Sequence, residues 1–341
     1  MKAVIMAGGM GTRLRSITGD TPKPMVPLLG RPMMEHIIIL LREQGFTDIC
    51  AAVRYRAGDI MGYFGDGSRF GVKLQYRVED RALGTAGGVK NCRDFYGGED
   101  FLVISGDAAC DFELRTLMDA HRSRGADAAI ALYRSREPLR YGLAVTDSGG
   151  LVRSFIEKPD WSRVVTDLVN TGIYVLSPRA MELVPDGAEY DFGKQLFPQL
   201  LERSGTILGV PMDGYWCDVG TPLSYYRCCV DALEGRLRLD LPEQFRPGSE
   251  SKAEDTPENA DYAEECPCKS RAELMGALSE LMLDMGADYS DGLRLRTERY
   301  SLHIRPCADR SAVRIGVRAD DAEFAKELAL SAKALAQALK L

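Results

Sequence analysis

Short apolar stretches alternate with helical patterns along the first half of the chain, and this alternation constrains the fold more than any other feature. Strand-length apolar runs cover residues 2–6, 48–53 and 101–105, and helical patterns at residues 32–44 and 57–64 separate them. Strands that alternate with helices in this way are typical of a doubly wound, mostly parallel sheet. The sequence therefore predicts an α/β, Rossmann-like fold, in which ligands bind where the strands end.

The first strand runs directly into a glycine-rich turn, AGGMGTR at residues 7–13. Glycines allow backbone N–H groups to approach an anion closely, and Arg13 and Lys23 add two cations nearby. The turn is not a P-loop, since no Lys-Ser or Lys-Thr follows it, and Leu14 replaces the third glycine of a dinucleotide-binding fingerprint. It predicts a phosphate site, although a plain glycine turn with surface cations is the alternative. The candidate residues in this turn are Ala7, Gly8, Gly9, Gly11, Thr12 and Arg13.

Two aspartates are candidate ligands for a hard cation such as Mg²⁺. Asp107 follows the buried strand at residues 101–105 after a glycine, and Asp218 lies between aromatic residues and a glycine turn. The alternative for Asp107 is a helix cap, but Asp111 is the more natural cap for the helix that follows.

Three other motifs are weak evidence for a binding site when each is considered alone. A second glycine-rich loop, LGTAGG at residues 83–88, is expected to open a helix and to let a flat base or ribose lie against its backbone. The acid-base-proline triplet at residues 157–159 could be a solvated turn. Asn170 could form an Asx turn before a strand.

Charge and composition limit the function classes. The net charge of −7 argues against general nucleic-acid binding, which favours a basic surface. No apolar run approaches the roughly 18 residues of a membrane span, and the N-terminus lacks a secretory leader pattern. The nine cysteines are scattered, which fits reduced thiols in a cytoplasmic protein better than a disulfide framework. His121, in a helical pattern, is expected on the surface.

The motifs together, in their order along the chain, resemble one enzyme family. GGMGTRL, TPKPM, LGTAGG, SGD, EKP, NTGIY and WCDVGTP occur in this order. This order is similar to that of the sugar-1-phosphate nucleotidyltransferases. The resemblance covers about residues 1–242. It is strongest to bacterial mannose-1-phosphate guanylyltransferases of the type fused to a phosphomannomutase-like region.

The resemblance implies a reaction and a role for each motif. A nucleotidyl group would pass from a nucleoside triphosphate, with GTP expected, to a sugar 1-phosphate, with mannose 1-phosphate expected, and pyrophosphate would leave. Arg13 and Lys23 would bind the triphosphate, Lys158 would bind the sugar phosphate, and Asp107 and Asp218 would hold Mg²⁺. Alternative functions are the same reaction on glucose or heptose 1-phosphate with UTP, dTTP or GTP, or a catalytically silent homologue that regulates a partner.

The resemblance also leaves open whether the protein forms a homo-oligomer. The remaining nucleotide-binding candidates are Gly84 and Thr85, and the sugar-binding candidates are Tyr141, Gly142, Glu157 and Asn170.

The chain changes character after the nucleotidyltransferase-like part. Residues 247–265 carry seven acids against one lysine, which predicts a flexible linker, placed at residues 243–266. Residues 267–341 alternate as helix, three strands and helix, which predicts a small α+β domain. Its order resembles the last domain of phosphohexomutases. The phosphate loop of that domain is degenerate here, because residues 305–311 contain no glycine and include Asp309. We therefore expect no mutase activity.

Overall fold

We describe the protein from a computed structural model. The described residues fall into two compact units, of which the first contains Met1–Gly11, Thr21–Asp218 and Leu237–Asp240 and the second contains the remainder. The structure describes residues 1–11, 14, 20–157, 159–233, 235–241, 260–268, 274–275, 277–278, 293–297, 300–306 and 312–339.

The first unit is built from alternating strands and helices. Its strands are β1 (Lys2–Ala7), β2 (Pro27–Leu28), β3 (Arg31–Pro32), β4 (Asp48–Val53), β5 (Lys73–Val78), β6 (Phe101–Ser105), β7 (Ala108–Cys110), β8 (Ala128–Arg134), β9 (Leu143–Thr146), β10 (Val152–Ile156), β11 (Leu168–Leu176), β12 (Ile207–Pro211) and β13 (Trp216–Asp218). Its helices are α1 (Met33–Glu43), α2 (Ala57–Phe64), α3 (Gly84–Lys90), α4 (Arg93–Tyr96), α5 (Leu114–Arg124), α6 (Pro178–Glu182) and α7 (Phe197–Glu202).

A nine-stranded sheet forms the centre of this unit. Its main path runs β10-β9-β11-β6-β1-β4-β5, and β8 pairs with β11 and with β12. The strands β6, β1, β4 and β5 are parallel, which confirms the predicted α/β fold with a mostly parallel central sheet. Strand β11 runs antiparallel to β6, so the part of the sheet beyond β6 is mixed.

Side chains from β1 reach both faces of the sheet. Ile5 packs into the core on one face, with Ile38 of α1 and Leu117 of α5. Val4 packs into the core on the other face, with Val89 of α3. A strand that is buried on both faces reads as a continuous apolar run, which is why β1 was evident in the sequence.

The described part of the second unit contains an antiparallel sheet and further helices. Its elements are α8 (Pro222–Leu233), β14 (Ala260–Pro267), β15 (Leu293–Arg296), β16 (Tyr300–Pro306), β17 (Ala312–Ala319) and α9 (Ala322–Ala338). The sheet order is β14-β17-β16-β15, and α9 packs against β14 and β17. Asp321 caps α9 by accepting a hydrogen bond from the Phe324 N–H at 2.7 Å. The strands and the last helix agree with the predicted α+β arrangement.

Strand β14 is a correction to the predicted linker. Composition placed Ala260 and the residues that follow in the acidic linker, whereas they pair with the apolar strand β17. Glu264 forms an ion pair with Lys333 of α9 at 2.5 Å, and Cys266 is buried. Glu265 forms a second ion pair, with Arg314 of β17 at 3.4 Å. Strand pairing and two ion pairs thus order a segment that charge alone would leave flexible. Two predictions lie outside the described residues: most of the helix at 270–285, and the loop at 307–311.

His121 corrects a second expectation, because it is buried rather than on the surface. Only 2% of the residue is exposed, and its ring lies 3.7 Å from Asp100, measured from Nδ1 to Oδ2. Burial lowers the pKa of His121 below its usual value, and the Asp100 carboxylate only partly opposes this.

The cysteines in the described part of the chain are free thiols. None of the helices described is both long and apolar enough to cross a bilayer.

Candidate active site

Four site segments begin where the parallel strands end. Gly8 follows β1, Arg54 follows β4, Glu79 follows β5, and Asp107 lies two residues after β6. The register pairs Ala7 with Val53 and Val53 with Val78, so these ends are level. The carboxyl edge of the sheet therefore gathers glycines, a guanidinium and two carboxylates, as expected for ligand binding in such sheets.

A cavity of about 340 Å³ opens at this edge. Gly9 has no atom within 4 Å of the point that a Cβ would occupy, so the glycine turn leaves open space above β1. Gly11 has φ +61°, and a Cβ there would lie 3.0 Å from Cβ of Lys23. The predicted residues that line this cavity are Ala7, Gly8, Gly9, Lys23, Gly84, Thr85 and Asp107.

A short antiparallel ladder brings the two predicted metal ligands together. Strand β7 begins directly after Asp107, and it pairs with β13 so that Ala108 lies opposite Asp218. The Lys23 ammonium group contacts Oδ2 of Asp107 and lies 3.6 Å from Oδ1 of Asp218. Lys23 itself is only 8% exposed. The structure thus joins three residues that lie far apart in the chain.

The charges around Asp107 favour its ionised form. Burial by itself would raise the pKa of Asp107, but the nearby Lys23 charge and the hydrogen bonds from Lys23 and Ser105 outweigh it. The net direction is a lowered pKa. Asp107 is therefore an anion at neutral pH, as a metal ligand must be.

The acidic pair fits a magnesium ion. Two carboxylates meet at a point where the structure already holds a cation, the Lys23 ammonium group. Mg²⁺ prefers oxygen ligands and is commonly held by one or two carboxylates together with substrate phosphates. Asp107 and Asp218 are the residues that would hold it.

A second cavity of about 300 Å³ adjoins the first and shares Asp107, Thr85 and Asp191 with it. Trp216 forms part of its wall. Its indole N–H donates to the Thr171 carbonyl at 3.1 Å, and its ring packs edge-on against the Tyr141 ring, with 5.1 Å between the ring centroids. The predicted sugar residues that line this cavity are Tyr141, Gly142, Glu157 and Asn170.

Hydrogen bonds hold one of these sugar candidates, Asn170, and two glycines pack closely against another, Glu157. The Asn170 amide donates to the Tyr174 hydroxyl at 3.0 Å, and its Oδ1 accepts from the Gly172 N–H at 3.0 Å. A Cβ on Gly142 or on Gly193 would lie 2.8 or 2.9 Å from Oε2 of Glu157. Asn170 forms the expected Asx-type turn, although inside β11 rather than before a strand, and it also lines the cavity. Its contact with a sugar stays a prediction.

The second glycine-rich loop packs against another segment rather than lying open. The Ala86 and Gly87 N–H groups donate to the Tyr190 carbonyl at 2.9 and 3.0 Å. The Thr85 hydroxyl donates to Asp191 at 3.0 Å. Gly84 has φ +70°, and a Cβ on it would lie 2.6 Å from the Tyr190 oxygen. Position 84 therefore requires glycine for close packing against Tyr190, independently of the predicted contact between this loop and a nucleotide.

Substituting Gly84 by alanine is expected to destabilise the protein by about 1–3 kcal/mol, because it adds a Cβ clash to a left-handed backbone. Denaturant unfolding of Gly84→Ala would measure this free energy. Gly98→Ala is the control, since no atom lies within 4 Å of its Cβ position. Equal stability of the two variants would contradict the packing argument.

Three predicted site residues lie outside the described residues: Thr12, Arg13 and Lys158. Their roles stay predictions.

Glu79 is the main residue that the sequence reasoning missed. It is 9% exposed and lines the first cavity, and a Cβ on Gly88 would lie 2.5 Å from its Oε1. Burial raises the pKa of Glu79, while the Leu83 N–H and the Arg54 charge oppose that shift. A signal was available, because Glu79 directly follows a strand and precedes a glycine-rich loop. Arg54 and Asp191 also line this cavity and were missed.

The fold and this edge together define an α/β protein with two adjoining cavities beside an acidic pair. A family model described as nucleotidyl transferase matches residues 2–235. The chain belongs to this family, and the predicted resemblance to sugar-1-phosphate nucleotidyltransferases is confirmed.

Individual relatives have different names. A UTP–glucose-1-phosphate uridylyltransferase of Synechocystis sp. is 39% identical over 263 residues, which cover 73% of this chain and 67% of the relative. A mannose-1-phosphate guanylyltransferase of Mycobacterium tuberculosis is 34% identical, with 68% of this chain and 65% of the relative covered. The crystal structure of HddC from Yersinia pseudotuberculosis complexed with GMP-PN matches with a TM-score of 0.59 and 30% identity, over 68% of this chain and 99% of HddC. The match thus spans about two thirds of the length of these curated relatives.

Proposed function

We propose that the protein transfers a guanylyl group from GTP to mannose 1-phosphate, forming GDP-mannose and releasing pyrophosphate. The observation that carries this proposal is the acidic pair with Lys23 at the junction of two cavities. One cavity suits a nucleoside triphosphate and the other suits a sugar phosphate. The two would meet at Asp107, where the new bond must form.

Glu79 supports a guanine base. Guanine offers two adjacent donors, N1–H and the 2-amino group, to one carboxylate. Uracil and thymine offer a single N–H between two carbonyl oxygens, and those oxygens repel a carboxylate. Glu79 follows β5, and its carboxylate lies between the two glycine-rich loops, since a Cβ on Gly8 or on Gly88 would lie 3.6 or 2.5 Å from its Oε1. A carboxylate repels phosphate groups, so we assign Glu79 to the base.

The sugar is proposed from the relatives. A relative at 34% identity is a mannose-1-phosphate guanylyltransferase, while another at 39% identity is a glucose-1-phosphate uridylyltransferase. UTP with glucose 1-phosphate is therefore the alternative pair of substrates. Glu157 and Asn170 would contact sugar hydroxyls in the second cavity.

The reaction needs positioning and charge neutralisation rather than a protein nucleophile. An oxygen of the sugar phosphate attacks the α-phosphorus, and the bond to pyrophosphate breaks. Lys23, released towards the phosphates, and Arg13 would neutralise the triphosphate, while Lys158 would orient the attacking phosphate. Asp107 and Asp218 would hold Mg²⁺, which supplies Lewis-acid stabilisation of the phosphoryl charge.

The direct test measures pyrophosphate release over a matrix of nucleoside triphosphates and sugar 1-phosphates. The highest kcat/KM is expected for GTP with mannose 1-phosphate. A maximum for UTP with glucose 1-phosphate would assign the alternative pair. No release from any pair would support a silent homologue and contradict the proposal.

Substituting Glu79 by glutamine is expected to lower kcat/KM for GTP about tenfold to a hundredfold, because one of two donors on guanine loses its acceptor. Use of UTP should fall less or rise, since an amide offers both a donor and an acceptor. Steady-state kinetics with each nucleotide would show the change in ratio. Glu189→Gln is the control, because Glu189 is an exposed acid that lines the same cavity. An unchanged GTP-to-UTP ratio in Glu79→Gln would exclude Glu79 from base recognition.

A further inference from the structure

Asp111 is a nearly buried carboxylate that links three segments of the chain. Its side chain is 6% exposed. Oδ1 accepts a hydrogen bond from the Tyr215 N–H at 2.7 Å. Oδ2 accepts from the Arg238 N–H at 3.0 Å and from Nε of the same arginine at 3.1 Å. One side chain therefore holds two segments that are 104 and 127 residues away in sequence.

The expected role of Asp111 as a helix cap is wrong. Helix α5 begins after Glu113, and the Leu114 and Arg115 N–H groups donate to Oε1 of Gln44 at 2.5 and 3.3 Å. The amide of Gln44 also donates to the Phe112 carbonyl at 2.8 Å. Because Gln44 caps this helix from another element, the Asp111 carboxylate is not needed there.

The position of Asp111 connects it to the acidic pair. Strand β7 joins Asp107 to Asp111, and β13 joins Tyr215 to Asp218. The ladder between them holds three residue pairs, which end at Ala108 and Asp218. The Asp111 N–H also donates to the Tyr215 carbonyl at 3.2 Å, so Asp111 and Tyr215 are joined twice. These bonds close the ladder at the end opposite the two aspartates.

A glycine allows this close contact. Gly214 has φ +112°, and a Cβ on it would lie 2.4 Å from Oδ1 of Asp111. No larger residue could occupy position 214 while the Asp111 carboxylate stays where it is. The turn before β13 is thus shaped to receive this carboxylate.

We propose that Asp111 is a positioning residue that sets the separation of the Asp107 and Asp218 carboxylates, and thereby the metal affinity of the site. This inference rests on the proposed function of those two aspartates as metal ligands. A three-pair ladder at the edge of a cleft has few bonds of its own. A buried carboxylate that accepts from two backbone N–H groups adds charge-assisted bonds at its far end.

The test compares Mn²⁺ affinity, by electron paramagnetic resonance with GTP present, in the wild type and in Asp111→Ala. We expect a tenfold to hundredfold weaker affinity, as is usual when a residue that supports metal ligands is removed. Turnover should fall while KM for the sugar phosphate stays unchanged, and added Mg²⁺ should restore part of the activity. Asp111→Asn should keep most of the affinity, because its amide oxygen can still accept from Tyr215.

Two further variants keep the test decisive. Arg238→Gln removes only the contact of an exposed side chain, so its Mn²⁺ affinity should match the wild type. If Asp111→Ala does not fold, Gly214→Ala, which crowds the same carboxylate, is expected to weaken Mn²⁺ binding in the same way. A folded Asp111→Ala or Gly214→Ala with wild-type Mn²⁺ affinity overturns the inference. Asp107→Asn with wild-type Mn²⁺ affinity would instead overturn the metal site itself.

Discussion

Substituting Asp107 or Asp218 by asparagine is expected to lower turnover at least about a hundredfold, as the loss of a charge-stabilising group usually does. Asparagine keeps the size of the side chain and removes the charge, so packing in the β7–β13 ladder should change little. The structure places both carboxylates around one cation, Lys23. Pyrophosphate release at saturating substrates and Mg²⁺ would measure the loss.

The control for both variants is Asp119→Asn. Asp119 is an exposed aspartate on α5, outside both cavities. Its substitution should leave turnover unchanged. Near-normal activity of Asp107→Asn or Asp218→Asn at saturating Mg²⁺ would remove that residue from the metal site.

Substituting Lys23 by methionine is expected to have two opposite effects. Turnover should fall about a hundredfold, because a cation that neutralises the phosphates is lost. The nucleotide-free protein should bind Mn²⁺ about tenfold tighter or more, because the ammonium no longer competes for Asp107 and Asp218. Electron paramagnetic resonance of Mn²⁺ without nucleotide would measure the second effect, and steady-state kinetics the first.

Lys73→Met is the matched control, since Lys73 is an exposed lysine on β5. It should leave both quantities unchanged. If Lys23→Met bound Mn²⁺ no more tightly than the wild type, the ammonium would not compete with the metal. Unchanged turnover would likewise exclude Lys23 from phosphate binding.

The parts of the fold that the sequence revealed are those with a local signal. Strand β4 was predicted with its observed bounds, Asp48–Val53, because it is apolar on both faces. Helix α2 was also predicted with its bounds, Ala57–Phe64. Strand β14 was missed because its stability comes from pairing with β17, which lies far along the chain. Amino-acid composition shows that β14 is rich in acidic residues, but it does not show the strand with which β14 pairs.

The same distinction applies to the site. Gly8 and Asp107 were predicted because each follows an apolar strand, and a strand end is visible in sequence. Glu79 follows β5, a strand of mixed polarity, so the end of that strand is harder to recognise in the sequence than the ends of β1 and β6. The contacts of Asp111 were out of reach, since they join segments more than a hundred residues apart. Short-range rules assigned Asp111 as the cap of the nearest helix, but that helix is capped by Gln44, the residue directly after α1.

The β7–β13 ladder also sets when the acidic pair can form during folding. Asp111 and Tyr215 are 104 residues apart, and the length-dependent entropy of closing such a loop is about 4 kcal/mol. The three ladder pairs and the two bonds between Asp111 and Tyr215 offset only a small part of this entropy. They can form stably only after the intervening strands of the large sheet have paired, because that pairing brings β7 and β13 closer together. The acidic pair should thus be among the last contacts to form. A chain in which β13 has not yet paired with β7 would hold a nearly complete sheet but no paired aspartates. Metal binding at the proposed site would therefore require the first unit to be fully folded.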